Sequence, residues 1–403
     1  MTSPLDLFRR LTLVPQGITI VVAGFLPIFA IVSMFPAMPS IMRHFGDNPQ
    51  ARDLVPLMVS APGLTIAILA PFMGIVIDRF GRIKLLTWAT LLYGFAGTAP
   101  FFLEDLYAVF ASRLLLGVAE AVILTAVNTL IGDYWEDTGR RDWLLLQGLA
   151  GPALAAGVIL IAGPATEVRW NGVFLVYAVA FPVFFAVRAF LFEPGAQTAP
   201  AVTAVADNRD TPFPTADVVL VGAVTLLASA LYYVFIISGG LAFNEVGVTE
   251  PSRISELTAL PAMFILVGAV IFRLISHWSN AMQLGMFFLV IGIGLAGIGL
   301  AENWQTLVLF LVLQQTGAGM AVTTLIAWAQ TKFPYQHRGR GMGVWTACFF
   351  FGQFSSPWLV ARVESQLGTT QDAFTVAGML ALAAAVIGLF QGVRLRQRTS
   401  VQR

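Results

Sequence analysis

The sequence predicts an all-α integral membrane protein of twelve transmembrane helices, arranged as two six-helix bundles with internal pseudo-symmetry. Three observations carry that expectation. Hydrophobic residues fill 57% of 403 positions and charged residues only 11%, whereas a soluble domain carries about 25% charged residues. Apolar runs recur at the length that crosses a bilayer, about 20 residues. They fall as six runs, a polar linker and six more.

Run one lies between Arg10 and Arg43, run two between Asp53 and Asp78, and run three between Lys84 and Glu104. The first run is too long for the apolar core of a signal peptide and lacks a small-residue cleavage site, so it is expected to be a retained span. Run four, from Tyr107 to Gly132, is interrupted only by Arg113 and Glu120. Run five lies between Asp142 and Glu167, and run six between Arg169 and Arg188. The stretch from Glu193 to Ala216 is rich in Ala, Pro, Thr and Asp and has no hydrophobic period, so it reads as a flexible linker. Runs seven to twelve occupy Asp217 to Glu245, Ile254 to Ser276, Ala281 to Ala301, Trp304 to Thr331, Gly341 to Ala361 and Ala373 to Val393. The expected units are therefore residues 1–192, a cytoplasmic linker over 193–216, and residues 217–403.

Basic residues set the orientation of such a chain. With the N-terminus inside, 17 of the 23 Lys and Arg fall in inside segments and 5 in outside loops, Arg113 lying within a span. Both termini are then expected to be cytoplasmic, with a bacterial inner membrane as the location. The net charge of +1 gives no footprint for nucleic acid. The single cysteine, Cys348, excludes an internal disulfide. His44, His277 and His337 lie near run ends and read as solvated loop residues. No metal site, no cofactor and no enzymatic cluster of ligands or nucleophile and base is expected.

Polar groups inside spans are costly in hydrocarbon and face a cavity or another helix. Runs three, six, nine and twelve are the most apolar and are expected at the periphery. Asn128, Gln147, Tyr232, Tyr233, Gln314, Gln315 and Gln353 are expected to line a substrate cavity. Glu120 is the one acid inside a span rather than at its end. Arg113, seven residues earlier, shares its helix face, about 10 Å away along the axis and too far for a direct bond. A carboxylate held at that depth can exchange a proton as its surroundings change, so Glu120 and Arg113 are the expected proton-coupling residues. An internal repeat pairs Gly148, Gly151 and Pro152 of run five with Gly352, Ser356 and Pro357 of run eleven. Duplicated halves place a substrate site near the midplane, where the halves meet. The glycines of run nine (Gly292, Gly294, Gly297 and Gly299) permit close helix packing, and a monomer is expected.

The loop between runs two and three reads Gly74-Ile-Val-Ile-Asp78-Arg79-Phe-Gly81-Arg82-Ile-Lys84. It resembles the G-x-x-x-D-R-x-G-R signature of the major facilitator superfamily, at the matching position in the chain. Arg113-Leu-Leu-Leu-Gly117 is similar to that family's R-x-x-x-G pattern in helix four. Gly151-Pro152 resembles the core of the drug/proton antiporter signature in helix five, with Gln147 and Ala155-Ala156 standing where glycines are usual. The eroded counterpart of the first loop spans Arg273 to Asn280. The resemblance implies a secondary transporter working by alternating access. Its substrate would be a small molecule, its co-substrate protons and its surroundings the lipid bilayer. It also implies a gate built from Gly74, Asp78, Arg79, Gly81 and Arg82, to which Asp133, at the same membrane face, adds a carboxylate. The leading expectation is proton-coupled export of a small amphipathic or hydrophobic compound. The alternatives are uptake or facilitated diffusion of a small polar solute and, outside transport, a transporter-like sensor; short termini favour the transporter.

Overall fold

The computed structural model describes residues 14–135, 137–193 and 212–401. The described residues are helical, joined by short connections. The helices are α1 (Pro15–Val32), α2 (Met34–His44), α3 (Ala51–Phe80), α4 (Arg82–Thr98), α5 (Leu106–Tyr134), α6 (Asp137–Val168) and α7 (Ala180–Phe190) in the first half. The second half holds α8 (Thr215–Glu245), α9 (Pro251–Ala262), α10 (Phe264–Leu274), α11 (Asn280–Gly299), α12 (Trp304–Lys332), α13 (Arg338–Leu367) and α14 (Thr370–Val401). Helices α1 and α2 are one crossing broken at Ser33, and α9 and α10 one crossing broken at Met263. The 3-10 stretch Gly172–Val179 and α7 make the sixth crossing. Most of the expected linker, residues 194–211, lies outside the described residues.

Among the described residues, ten helical segments are long and apolar enough to cross a membrane. The other two crossings have local reasons for falling short. Helix α4 runs for only 17 residues, because Pro100 removes an amide hydrogen and forces a 3-10 turn over Ala99–Phe101. Helix α13 carries Gln353, Ser355 and Ser356 at its centre, and they dilute its apolar character.

The breaks are built into the sequence. Pro27 and Pro36 flank the kink at Ser33, and Pro261 precedes the one at Met263. A carbonyl exposed by such a kink needs another donor. Tyr177 Oη supplies one to Ala30 O at 2.7 Å, and Tyr93 Oη supplies one to Leu26 O. Helix ends are closed by side chains. Asp105 accepts from Ala108 N at 2.7 Å, Asn303 from Thr306 N at 2.9 Å, and Glu245 from Thr370 N and Gln371 N at the start of α14.

The expected periphery is corrected at the ninth crossing. The apolar window of α11 is 61% buried, against 33% for that of α14. The cause is its glycines. A side chain at Gly294 would strike Gln314 of α12, and one at Gly292 would strike Leu382 of α14. Both neighbours belong to the same chain, so these glycines serve packing within the molecule. The repeat is visible in three dimensions: Gly151 of α6 packs against Phe25 of α1, and Gly352 of α13 against Leu226 O and Ser229 of α8.

The two ends of the bundle can be told apart. One, here the terminal face, carries the start of α1 and the Asp78–Lys84 loop. The other, the distal face, carries the 45–50, 102–105, 246–250 and 300–303 connections. On the distal side the halves touch. Helix α3 packs on α13, α9 on α6, and α2 on α8. Toward the terminal face they diverge. Helix α10 turns to α12, leaving Val267, Val270 and Leu274 exposed, and a Cβ at Gly74, Gly148 or Gly343 would meet nothing within 4 Å.

Candidate functional site

Where the halves meet near the midplane, a small cavity of about 10 Å³ is walled by Pro27, Ala30, Val59, Pro62, Arg113, Glu120, Tyr177 and Gln353. It has room for about one water molecule. Glu120 lies midway along the 29 residues of α5 and is 3% exposed, and its Oε1 has no hydrogen-bond partner. Gln353, from the opposite half, likewise leaves its Oε1 unpartnered. Buried polar atoms without partners are rare, yet three residues walling this cavity carry one: Glu120 and Arg113 (Nη1) from one half and Gln353 from the other.

Arg113 faces the same cavity but forms no ion pair with Glu120. Its Nη2 donates to Ala96 O and Gly97 O, each at 2.8 Å. The first of these is the carbonyl that Pro100 leaves without an amide donor. Its guanidinium also lies over the rings of Tyr177 and Phe174, at 4.8 and 5.1 Å. These contacts satisfy one side of a buried cation, and only Nη1 is left unpartnered. The charge therefore pins α5 to α4 and to the sixth crossing. Four residues later, Gly117 lets α5 touch the α3 backbone at Pro62.

The remaining cavity candidates divide. Tyr232, Tyr233 and Phe349 form an aromatic cluster between α8 and α13, with centroids 4.8 to 6.3 Å apart. Trp345 stacks on Phe349 at 5.3 Å, and its Nε1 is buried without a partner. Phe349 and Gln353 are one helical turn apart on α13, so the cluster continues the stripe that reaches Glu120. Asn128 is exposed on α5 and Gln147 half-buried on α6. Gln314 instead packs against α11, buried with both amide atoms unpartnered, and Gln315 is buried beside it.

At the terminal face the loop motif is assembled around Arg82. Its Nη1 pairs with Asp133 and its Nη2 lies 3.7 Å from Asp78 Oδ1. Gly81 joins α3 to α4 with φ at +90°, a conformation that side chains disfavour. Gly74 and Arg79 stand exposed. The acid at the α4 N-terminus comes from the end of the sixth crossing. Glu193, just past α7, accepts from Arg82 N at 2.7 Å and Ile83 N at 2.9 Å. Tyr134 holds the segment before it, stacking on Phe192 at 4.9 Å.

Residues 20–301 match the family model described as Major Facilitator Superfamily. The chain belongs to the Major Facilitator Superfamily. Multidrug resistance protein 2 of Bacillus subtilis strain 168 is 26% identical to this facilitator over 164 residues, covering 40% of this chain and 38% of that protein. Tetracycline resistance protein, class B, of Escherichia coli is 26% identical over 181 residues, covering 44% and 42%. The matched stretches thus span less than half of either relative. A D-xylose-proton symporter structure shares the fold, with a TM-score of 0.77 at 14% identity over 93% of this chain and 96% of that one.

Sequence reasoning missed several residues of this facilitator. Glu193 reads as the first residue of a linker, and nothing along the chain ties it to Arg82, more than a hundred positions away. Trp345 carries no polar or charged flag. Arg52, Glu364 and Glu167 sit at run ends and look like ordinary loop charges. His44 is not a free loop histidine, since it stacks on Trp170 at 3.9 Å and its Nε2 lies 3.3 Å from Glu104.

Proposed function

We propose that this facilitator is a proton-coupled exporter of a small amphipathic or hydrophobic compound, working by rocking of two six-helix halves about a midplane site. The observation that carries the reading is Glu120. A carboxylate in mid-span, with an unpartnered oxygen, walls the cavity where the halves meet. Keeping a charge there costs several kcal/mol unless it is paired. Taking up a proton removes that cost in one access state, and exposure to water or a substrate amine offsets it in the other. Tyr232, Tyr233, Phe349 and Trp345 supply the apolar, flat-faced wall that an amphipathic compound needs. The two relatives described above are named for drug resistance, and a membrane carrier confers resistance by moving a drug outward. Asp78, Arg82 and Asp133, with Gly74, Arg79 and Gly81 around them, form the terminal-face gate, which lies on the cytoplasmic side.

A second reading is uptake of a small polar solute. The unpartnered Oε1 of Gln353 in the midplane cavity favours it, because a carbonyl oxygen there suits a hydroxyl or amide group. Everted membrane vesicles separate the two. With an imposed pH gradient, acidic inside, they should concentrate an amphipathic fluorescent dye, and Glu120→Gln should abolish that accumulation while sparing downhill flux. Undiminished accumulation by Glu120→Gln removes Glu120 from coupling. Accumulation only in right-side-out vesicles reverses the direction.

A further inference from the structure

A second cavity, of about 480 Å³, lies on the distal side of the seam between the halves, within the size range of sites for small organic molecules. Met42, Arg52 and Pro56 wall it from one half, and Asn244, Val360 and Glu364 from the other. It shares no wall residue with the midplane cavity. Direct contact of α3 with α13 lies between the two. Ser60 Oγ, one turn from Pro56 toward the midplane, donates to Phe354 O at 3.3 Å, and a Cβ at Gly63 would stand 3.0 Å from Phe350 O. The seam is equally tight between α6 and α9. There a Cβ at Gly163 would stand 2.6 Å from Pro251 O, and Glu167 Oε1 accepts from Ser252 N at 2.9 Å. The cavity is thus a widening in a closely packed seam.

The chemistry of the wall selects its occupant. Asn244 Oδ1 is buried and accepts no hydrogen bond, a rare condition for a polar atom unless something else brings the donor. The charged wall residues are Arg52, Glu245 and Glu364. Arg52 Nη2 meets Glu364 Oε1 at 2.8 Å, so the guanidinium is already matched. Glu245 accepts from Thr370 N and Gln371 N at 2.7 and 2.8 Å, so its charge is met by amides alone. An anion here would face two carboxylates and one engaged cation. A neutral alcohol would satisfy Asn244 and leave the surplus negative charge unmatched. An ammonium answers both, because it donates N–H and carries the opposite charge. Met42, Pro56, Leu241 and Val360 offer an apolar surface to its carbon body. We propose that this cavity is a second small-molecule site, separate from the midplane one, for a monocationic amphipathic amine whose N–H meets Asn244 Oδ1 and whose charge faces Glu245 and Glu364. The site goes beyond the export reading and depends on neither the direction of transport nor proton coupling.

Equilibrium dialysis tests the site. Full-length protein is placed in nanodiscs of phosphatidylcholine, a lipid with no N–H, and the probe is 1-naphthylmethylammonium, with uptake by empty nanodiscs subtracted. A Glu120→Gln background removes the midplane carboxylate, and one equivalent of the amine should still bind. In that background Asn244→Leu should weaken binding about tenfold. Asn244→Asp keeps the shape and adds a charge, so it should tighten binding about threefold. The neutral alcohol 1-naphthylmethanol and the trimethylated ammonium, which is charged but has no N–H, should each bind about tenfold more weakly than the amine. Loss of all binding in Glu120→Gln places the amine at the midplane and overturns the proposal. Unchanged affinity in Asn244→Leu overturns it too, as does unchanged affinity in Asn244→Asp where the leucine variant does not insert. Equal binding of the three naphthyl compounds overturns the assignment of an ammonium. Binding is read without flux or a proton gradient, so failure of the export reading leaves this result unchanged.

Discussion

Two ionisable residues on one helix face have been given opposite surroundings. Arg113 is held by two carbonyls and two aromatic rings, with Nη1 alone left unpartnered. Glu120 keeps an oxygen with no partner. The first pattern is that of a group holding the fold, and the second that of a group held ready for a proton or ligand. Thermal unfolding of the purified protein in detergent separates them. Arg113→Lys should lose about 2 kcal/mol or more, because an ammonium cannot reach both carbonyls while lying over both rings. Glu120→Gln should unfold at the parent temperature or above it, since it removes a buried charge without changing shape. A Glu120→Gln variant less stable than Arg113→Lys would reverse these assignments. The shared helix face was legible in the seven-residue spacing. The partners of Arg113 were not, because they are backbone carbonyls of α4, whose availability depends on Pro100 and on how α4 docks.

At the scale of elements, proline and glycine decide most of the geometry. Proline sets where α4 stops and accompanies the kinks in the first and eighth crossings. Glycine lets α11 settle between α12 and α14. Gly81 is the one position in the loop motif that requires a left-handed backbone. Gly81→Ala should cost about 1 kcal/mol in strain and displace Arg82 N and Ile83 N from the Glu193 carboxylate. Glu193→Ala should reproduce the transport defect of Gly81→Ala without the strain. Dye efflux from cells, normalised to the amount of protein in the membrane, checks both. Parent-level efflux by Glu193→Ala would confine that carboxylate to capping the helix. The sequence made Gly81 conspicuous through its motif, but Glu193 becomes visible only once the sixth crossing returns to the terminal face beside α4.

For the whole molecule, the distal contacts of α3 with α13 and of α6 with α9 give the two halves a surface on which to associate without a covalent link. Residues Met1 to Thr203 and Ala204 to Arg403, co-expressed as separate chains, should copurify and restore efflux. In the intact protein, protease should cut between Glu193 and Ala216 while both halves stay in the membrane. Failure of the halves to copurify would make the linker part of the folding unit. Adding Arg52→Glu and Glu167→Ala to the split pair should weaken copurification, since those side chains bridge the halves on the distal side.

The sequence by itself determined the class of this protein. Span count, the facilitator motif and the singular Glu120 all follow from composition, run length and local spacing, and each is a one-dimensional property. Bilayer thickness fixes run length, and the cost of charge in hydrocarbon makes a mid-span acid conspicuous. What only the tertiary structure decided is which groups meet across long separations. Arg52 and Glu364 are 312 positions apart, and Glu167 reaches Ser252 across 85. Charges at helix ends are common and mostly solvated, so nothing local marks these as partners. Their pairing depends on the angle at which the two halves close, and the glycines that permit that angle, Gly63 and Gly163, acquire meaning only when the opposing backbone is in place.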